Sequence, residues 1–185
     1  MANESILPGE LRIAAQSLEE RFQLLRVRSR KILNSEWDSL PTGIKNTIPE
    51  WIVTLLASYS LADGVLEYRD SQQPYVRQFS FCNPDELLAD MSAGSLYGRL
   101  SGYGFVPIAY ESDGSMWVTR IGGGPTGAIH LLDHSGWDGN EPTARNGLVF
   151  ASSRLSLLLA SMGVSEVSYY ERPEGITSLI WHKET

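Results

Sequence analysis

The chain has 185 residues, a net charge of −7 and a single cysteine, and 42% of its residues are hydrophobic. This length suits one domain of ordinary size, and the apolar content is enough to bury a core, which excludes a disordered chain. The longest apolar runs, such as residues 155–162, are far shorter than the roughly 20 residues that cross a bilayer, so we expect no membrane partner. Because no export signal is visible and Cys82 has no second cysteine to pair with, the expected compartment is the cytoplasm.

Charge is distributed unevenly along the chain. Residues 10–31 hold six basic and three acidic side chains, a balance of +3, whereas residues 32–185 hold nine basic and eighteen acidic ones, a balance of −9. An acidic surface repels phosphate backbones and favours basic protein partners. We therefore expect no nucleic-acid partner.

The first part of the chain is predicted to be helical. Pro8 suits a first helical turn, and apolar residues recur at helical spacing from Leu11 to Ile32. This pattern predicts one long amphipathic helix over residues 9–33. Its apolar stripe can cover part of the domain's own core or form a short coiled-coil seam with another helix.

The helix and the residues after it suggest a division of the chain. The basic residues 26–31 are interpreted as a solvated face at the C-terminal end of the helix. A polar stretch over residues 34–46, which holds Pro41 and Gly43, is interpreted as a hinge. We therefore expect an N-terminal helical extension, residues 1–40, followed by one domain, residues 41–185.

After this hinge the hydrophobic period switches between helical and alternating patterns. In chain order the patterns predict a helix from Pro49 that stops at Asp63-Gly64, strands at 65–69 and 76–81, a helix from Pro84 to about Met91, strands at 105–110, 116–121 and 128–132, a helix over 154–162, and a terminal hairpin of residues 164–171 and 176–183. Strand-helix-strand units are too few for a parallel sheet. The expected fold class is α+β, with helices packed against a mostly antiparallel sheet.

Three motifs point to chemistry that their surroundings do not support. His130 and His134 form HxxxH, but this segment alternates like a strand, in which four residues span about 13 Å and cannot share one metal ion. Residues 122–127 spell GxGxxG, yet the residues that follow predict a strand where a dinucleotide site needs a helix, so a hairpin turn is expected. Cys82 ends an apolar run and is expected to be buried and inert. We therefore assign no catalytic residue, no metal ligand and no cofactor.

One stretch, residues 133–142, is not explained by these structural roles. It is a long loop with three acidic side chains, Asp133, Asp138 and Glu141, and with the indole of Trp137 among them. An exposed tryptophan among charged residues is typical of a protein-binding hot spot. The alternative is that Trp137 folds back and closes the edge of the sheet. These four residues are the candidate partner-binding residues.

Several short phrases of the sequence are similar to those of a known family. They are Ile48 to Leu56 ahead of Asp63-Gly64, Phe105-Val106-Pro107-Ile108-Ala109 ahead of Asp113-Gly114, and Gly124-Pro125 ahead of Asp133-His134. Over roughly residues 40–165 the chain resembles the SMI1/KNR4 family of the SUKH superfamily. The resemblance implies helices packed on a curved, mainly antiparallel sheet and, in bacteria, use as an immunity protein against toxins of competing cells. It implies no shared catalytic residues.

These observations lead to one expected function and two alternatives. We expect a non-enzymatic protein that neutralises a cognate bacterial toxin by direct binding, and a basic toxin domain suits the acidic body. The first alternative is a regulatory or scaffolding adaptor that acts through its N-terminal helix. The second is an enzyme or small-ligand binder, whose mark is a deep polar pocket that unites His130, Asp133 and a further titratable group. The sequence leaves the oligomeric state open.

Overall fold

The computed structural model describes residues 6–69, 76–91, 95 and 97–161. Their elements in chain order are α1 (Gly9–Leu24), α2 (Asn34–Asp38), α3 (Thr42–Lys45), α4 (Glu50–Ser58), β1 (Val65–Arg69), β2 (Val76–Phe81), α5 (Pro84–Asp90), a 3₁₀ helix (Tyr97–Tyr103), β3 (Phe105–Glu111), β4 (Met116–Arg120), β5 (Ile129–Leu132), β6 (Leu148–Ser152) and α6 (Leu155–Ser161). The predicted terminal hairpin lies outside the described residues. Within them, no helix combines the length and the apolar character that a membrane crossing requires.

The strands form one six-stranded sheet in which each strand pairs antiparallel with the next one in the chain. The predicted α+β class is confirmed, and so are the five predicted strands that became β1 to β5. The sixth strand, β6, was not predicted. It pairs with β5 across a loop of fifteen residues, and no short turn signal marks so distant a pairing.

Backbone pairing continues beyond β1 onto the N-terminal part of the chain. Arg30 forms an antiparallel bridge with Ala62, which is itself bridged to Phe81 at the end of β2. One row of paired residues therefore crosses the whole sheet, through Arg30, Ala62, Phe81, Ala109, Trp117, Leu131 and Val149. Its six steps of about 4.8 Å make the row about 29 Å long when it is followed along the sheet.

The two faces of the sheet bury two separate clusters of apolar side chains. Because successive residues of a strand point to opposite faces, Trp117 lies in the main cluster whereas Met116 and Val118 lie in the second. The main cluster joins the sheet to α1, α4 and α6. The second is smaller and consists of Leu100, Phe105, Met116, Val118, Leu132 and Trp137. The sheet is thus covered by helices on one face and by the 3₁₀ helix and the β5–β6 loop on the other.

The first helix is shorter than predicted. It ends at Leu24, because Arg26 takes a left-handed conformation with φ 56°. The N–H of Val27 then donates to the carbonyl of Phe22 at 2.8 Å, and that of Arg26 to Gln23 at 3.2 Å. This pair of bonds is the usual closure of a helix C-terminus. Residues 26–31 are consequently not a helix face, which corrects that interpretation.

The hinge predicted over residues 34–46 is also wrong. The segment contains α2 and α3, and it buries Trp37 and Leu40. The helix before it contributes Leu11, Leu18 and Phe22 to the main cluster, together with sheet residues. Since an apolar stripe at helical spacing is buried in this way, the segment from Leu7 to Leu40 is packed into the same core as the sheet.

An ion-pair network centred on Arg30 holds the N-terminal segment to the sheet. Its guanidinium donates to Asp63 and to Glu36, each at 2.7 Å, and the amide of Asn83 donates to the other oxygen of Asp63 at 3.1 Å. The N–H of Leu33, followed by Arg30, keeps the pKa of Glu36 low. Since the groups are partly exposed, each pair adds little on its own, and the network acts by fixing where residue 30 lies.

Close packing at Gly64 gives a test of how α1 meets the sheet. A Cβ at this position would lie 2.4 Å from the ring of Phe22, which is buried in the main cluster. We expect Gly64→Ala to lower the free energy of unfolding by about 1–3 kcal/mol, because either the ring or the backbone must move. Urea-induced unfolding measures the effect.

Gly43→Ala is the matched control. This glycine lies in α3, and nothing lies within 4 Å of a Cβ placed on it. We expect the alanine to raise stability by up to about 1 kcal/mol through helix propensity. Equal effects of the two substitutions would contradict the packing of α1 described above.

Candidate functional site

The four predicted partner-binding residues lie together in the acidic loop, defined as residues 133–147, which joins β5 to β6. Asp138 and Glu141 are exposed and Asp133 is partly exposed. Trp137, by contrast, is 5% exposed. The loop also holds the exposed Arg145, so its charge is not purely acidic.

Trp137 anchors the acidic loop to the sheet. Its ring belongs to the second cluster, and its indole N–H donates to the carbonyl of Asn140 at 2.7 Å. The sequence left two interpretations of Trp137 open, and the structure confirms the one in which the indole folds back against the sheet. Trp137 therefore presents no exposed ring to a partner, and any part it has in binding is to hold the loop in place.

Asp138 organises the outer part of the acidic loop. Its carboxylate accepts three hydrogen bonds of 2.9 Å, from the N–H and the side-chain amide of Asn140 and from the amide of Asn146. The amide of Asn146 also donates to the carbonyl of Glu141 at 3.0 Å. The Asn140 bonds, followed by the Asn146 bond, lower the pKa of Asp138. This carboxylate stays ionised at neutral pH.

Asp133 closes the loop at its base. Its carboxylate accepts from the N–H and the hydroxyl of Ser135 at 2.9 and 2.8 Å, and its own N–H donates to the carbonyl of Gly147 at 2.8 Å. Gly147 has φ 74°, and a Cβ there would lie 3.0 Å from the carbonyl oxygen of Asp133. The two ends of the loop therefore meet at a position that requires glycine. Loops closed in this way keep a defined shape.

The HxxxH motif of His130 and His134 spans the end of β5 and the start of the acidic loop. His130 lies on β5 between the rings of Phe105 and Phe150, 5.9 and 5.8 Å from their centroids, and burial followed by the charge of Arg120 lowers its pKa. His134 lies beyond the strand, in the acidic loop. The strand interpretation of this HxxxH segment is therefore confirmed at His130.

The glycine-rich segment and the cysteine also match their predicted places. Residues 122–127 lie in the turn between β4 and β5, and the carbonyl of Gly123 accepts a 2.9 Å bond from the indole of Trp51. Cys82 is 2% exposed, and burial raises the pKa of its thiol. Buried thiols with raised pKa values are poor nucleophiles.

A small cavity lies between α2, α3 and α4. Its volume is about 260 Å³, and it is lined by Asn34, Trp37, Asp38, Lys45, Ile48 and Val53. This volume is below the range of sites for drug-sized ligands. The cavity contains neither His130 nor Asp133, the two residues that the small-ligand alternative brings together.

Sequence analysis missed a buried acid at the end of β3. Glu111 is 5% exposed, and its burial, with the nearby charge of Asp113, raises its pKa to about 9. The indole of Trp117 acts in the opposite direction. Glu111 is consequently a neutral acid at pH 7. Its position beside a turn gave no sequence signal of burial, because charged residues at strand ends are normally solvated.

Comparisons of the chain with protein-family models, with curated proteins and with solved structures return no match. The resemblance to the SMI1/KNR4 family therefore stays a prediction that rests on the quoted phrases.

Trp137 supplies a test of how the acidic loop is held. We expect Trp137→Ala to lower the free energy of unfolding by about 3–5 kcal/mol, because a buried indole is lost from the second cluster. Trp137→Phe keeps a ring but loses the bond to Asn140, so we expect it to cost about 1 kcal/mol. Thermal unfolding followed by circular dichroism measures both. If the alanine variant were as stable as the parent, Trp137 would not anchor the loop.

Glu111 gives a pH dependence whose sign is fixed by its raised pKa. Between its unfolded pKa of about 4.3 and its folded pKa of about 9, the folded state binds the extra proton, so this group makes stability fall as pH rises. We expect Glu111→Gln to flatten this fall and to be more stable than the parent at pH 8.5 by at least about 1 kcal/mol. Urea unfolding from pH 5 to pH 9 measures it. Parallel pH profiles of the two proteins would exclude a buried neutral acid.

Proposed function

We propose that this protein is a cytoplasmic, non-enzymatic immunity protein that neutralises a toxin by binding it through the acidic loop. The observation that carries the proposal is that the exposed carboxylate of Asp138 is held by an internal hydrogen-bond network on a loop anchored by Trp137. A surface that is ordered before binding loses less conformational entropy when a partner docks. The resemblance to the SMI1/KNR4 family supplies the kind of partner.

The charge of the chain supports a basic toxin domain as that partner. Residues 32–185 carry a balance of −9, and complementary charge speeds encounter between proteins. Asp138 contributes to this field at neutral pH because its hydrogen bonds keep it ionised. The anchored loop then gives the complex a defined surface rather than a flexible tail.

The adaptor alternative is restricted by the packing of α1. Its apolar stripe, which includes Leu11, Leu18 and Phe22, is buried in the main cluster and is not free to dock on another helix. Deleting residues 1–40, the obvious test of an adaptor, removes this part of the core. Loss of partner binding by such a variant is therefore no evidence for docking through the helix.

The test of the proposed function uses the toxin encoded beside the gene for this protein. Co-expression is expected to protect the cell, and the purified proteins are expected to form a complex. Neutralising Asp138 or Glu141, as Asp138→Asn and Glu141→Gln, is expected to slow association about two- to fivefold, with a smaller effect at high salt. Surface plasmon resonance separates the association and dissociation rates.

Glu20→Gln is the matched control, because it removes one exposed negative charge from α1 rather than from the acidic loop. We expect it to change the association rate by less than twofold. A toxin complex that forms equally fast with all three variants would exclude the acidic loop as the interface. Absence of both protection and complex formation would exclude the proposed function itself.

A further inference from the structure

A second exposed surface, the basic strip, lies where the predicted N-terminal helix was expected to continue. We define it as residues 24–33. Three of its leucines are far more exposed than leucines usually are in a folded domain: Leu24 at 82%, Leu25 at 60% and Leu33 at 63%. The cations Arg26, Arg28 and Lys31 are exposed between them. One short segment therefore exposes both leucines and cations.

The positive charge of the basic strip is not neutralised by neighbouring acids. Arg26, Arg28 and Lys31 form no ion pair with the described part of the chain. Glu36 and Asp63, the two acids that contact Arg30 within the strip, are already paired with it. The strip thus keeps a charge of about +3 within a protein of net charge −7.

Arg26 takes a left-handed conformation, with φ 56°, which costs a residue other than glycine roughly 1 kcal/mol. In the described part of the chain the other left-handed residue besides glycine, Asp63 with φ 62°, offsets this cost through its carboxylate bonds to Arg30 and Asn83. Arg26 makes no comparable side-chain bond to the described residues. Its guanidinium is therefore available to a partner.

The sheet holds the basic strip and the acidic loop apart. The strip includes Arg30, at one end of the row that crosses the sheet, whereas the acidic loop leads into β6, at the other end. The row is about 29 Å long when it is followed along the sheet. The strip and the start of β6 therefore lie at opposite ends of the row.

We propose that the basic strip binds the surface of an anionic lipid bilayer. Leu24 and Leu25 enter the headgroup region while Arg26, Arg28 and Lys31 contact lipid phosphates and carboxylates. Side chains that are 60–82% exposed project from the protein rather than line a groove, which suits insertion into a soft medium. The leucines give no advantage on a nucleic-acid backbone. Symmetric pairing with a second copy would place two positive strips against each other.

This inference changes the sequence expectation that the protein has no membrane partner. That expectation rests on apolar runs too short to cross a bilayer, which leaves a contact with the bilayer surface untested. The structure ends the first helix at Leu24 and exposes two leucines beside the cations. The contact is peripheral, at the surface of the bilayer. It does not depend on the proposed binding of a toxin.

The test is co-sedimentation of the full chain with vesicles. The probe vesicles contain phosphatidylcholine and phosphatidylserine in a 70:30 ratio, and the reference vesicles contain phosphatidylcholine alone. We expect binding to the anionic vesicles in 0.1 M salt, at least tenfold weaker binding to the neutral ones, and at least fivefold weakening in 0.5 M salt. No binding, or equal binding to both kinds of vesicle, would overturn the proposal.

Variants of the strip separate lipid contact from folding. Arg26→Gly is expected to weaken binding about fivefold while leaving the melting temperature unchanged or raised, since glycine suits this conformation. Leu24→Ser with Leu25→Ser is expected to weaken binding at least tenfold, and the exposure of both side chains means that the fold tolerates the change.

Matched controls lie elsewhere on the surface. Arg12→Gln removes an exposed cation of α1, and Leu88→Ser removes a leucine that is 41% exposed on α5. Both are expected to bind vesicles within twofold of the parent. Equal loss in the controls and the strip variants would overturn the proposal. It would also be overturned if the strip variants bound normally, or if the strip proved to mediate self-association in sedimentation velocity without lipid.

Discussion

The arrangement of this protein depends on one constraint, which is that the order of strands in the sheet equals their order in the chain. Each strand pairs antiparallel with the next, so distance along the chain becomes distance across the sheet. The bridge between Arg30 and Ala62 adds the N-terminal segment to one edge, and β6 forms the other. A charge asymmetry of the sequence, +3 over residues 10–31 and −9 over residues 32–185, therefore places a basic segment at one edge of the sheet in an otherwise acidic protein.

This placement of the basic segment requires the first helix to cross the sheet and be held at both ends. Near its start, Glu10 pairs with Arg154 beside α6 at 2.7 Å, and near its end Phe22 packs against Gly64 ahead of β1. The chain then leaves the helix at Arg26 and meets the sheet edge at Arg30. The core of the domain thus includes the N-terminal segment, and the basic strip lies where it does because α1 is buried on its way there.

Sequence patterns predicted the elements whose signals are local. Alternation gave β1 to β5, and the predicted helix start at Pro84 is confirmed by α5, where the side chain of Asn83 accepts from the N–H of Glu86 at 3.0 Å. The misses depend on distant contacts. Ile32 continues the helical spacing of apolar residues, yet it lies in an extended segment. Its side chain is buried there, and its N–H donates to the carbonyl of Leu56. The burial of Trp137 and Glu111 likewise depends on which face of the sheet is covered, and neither a spacing nor a motif encodes that.

The acidic loop also shows that a carboxylate which organises a surface has little capacity left for direct contact. A carboxylate has about four acceptor positions, and Asp138 uses three of them on Asn140 and Asn146. Asp133 likewise accepts twice from Ser135. In the proposed complex these acids act on the toxin chiefly through their electrostatic field, which governs the association rate. Direct hydrogen bonds to the toxin would then come from Glu141, whose carboxylate is exposed and takes no part in the loop's network. In this proposal the association rate and the direct contacts are thus divided between different residues of one loop.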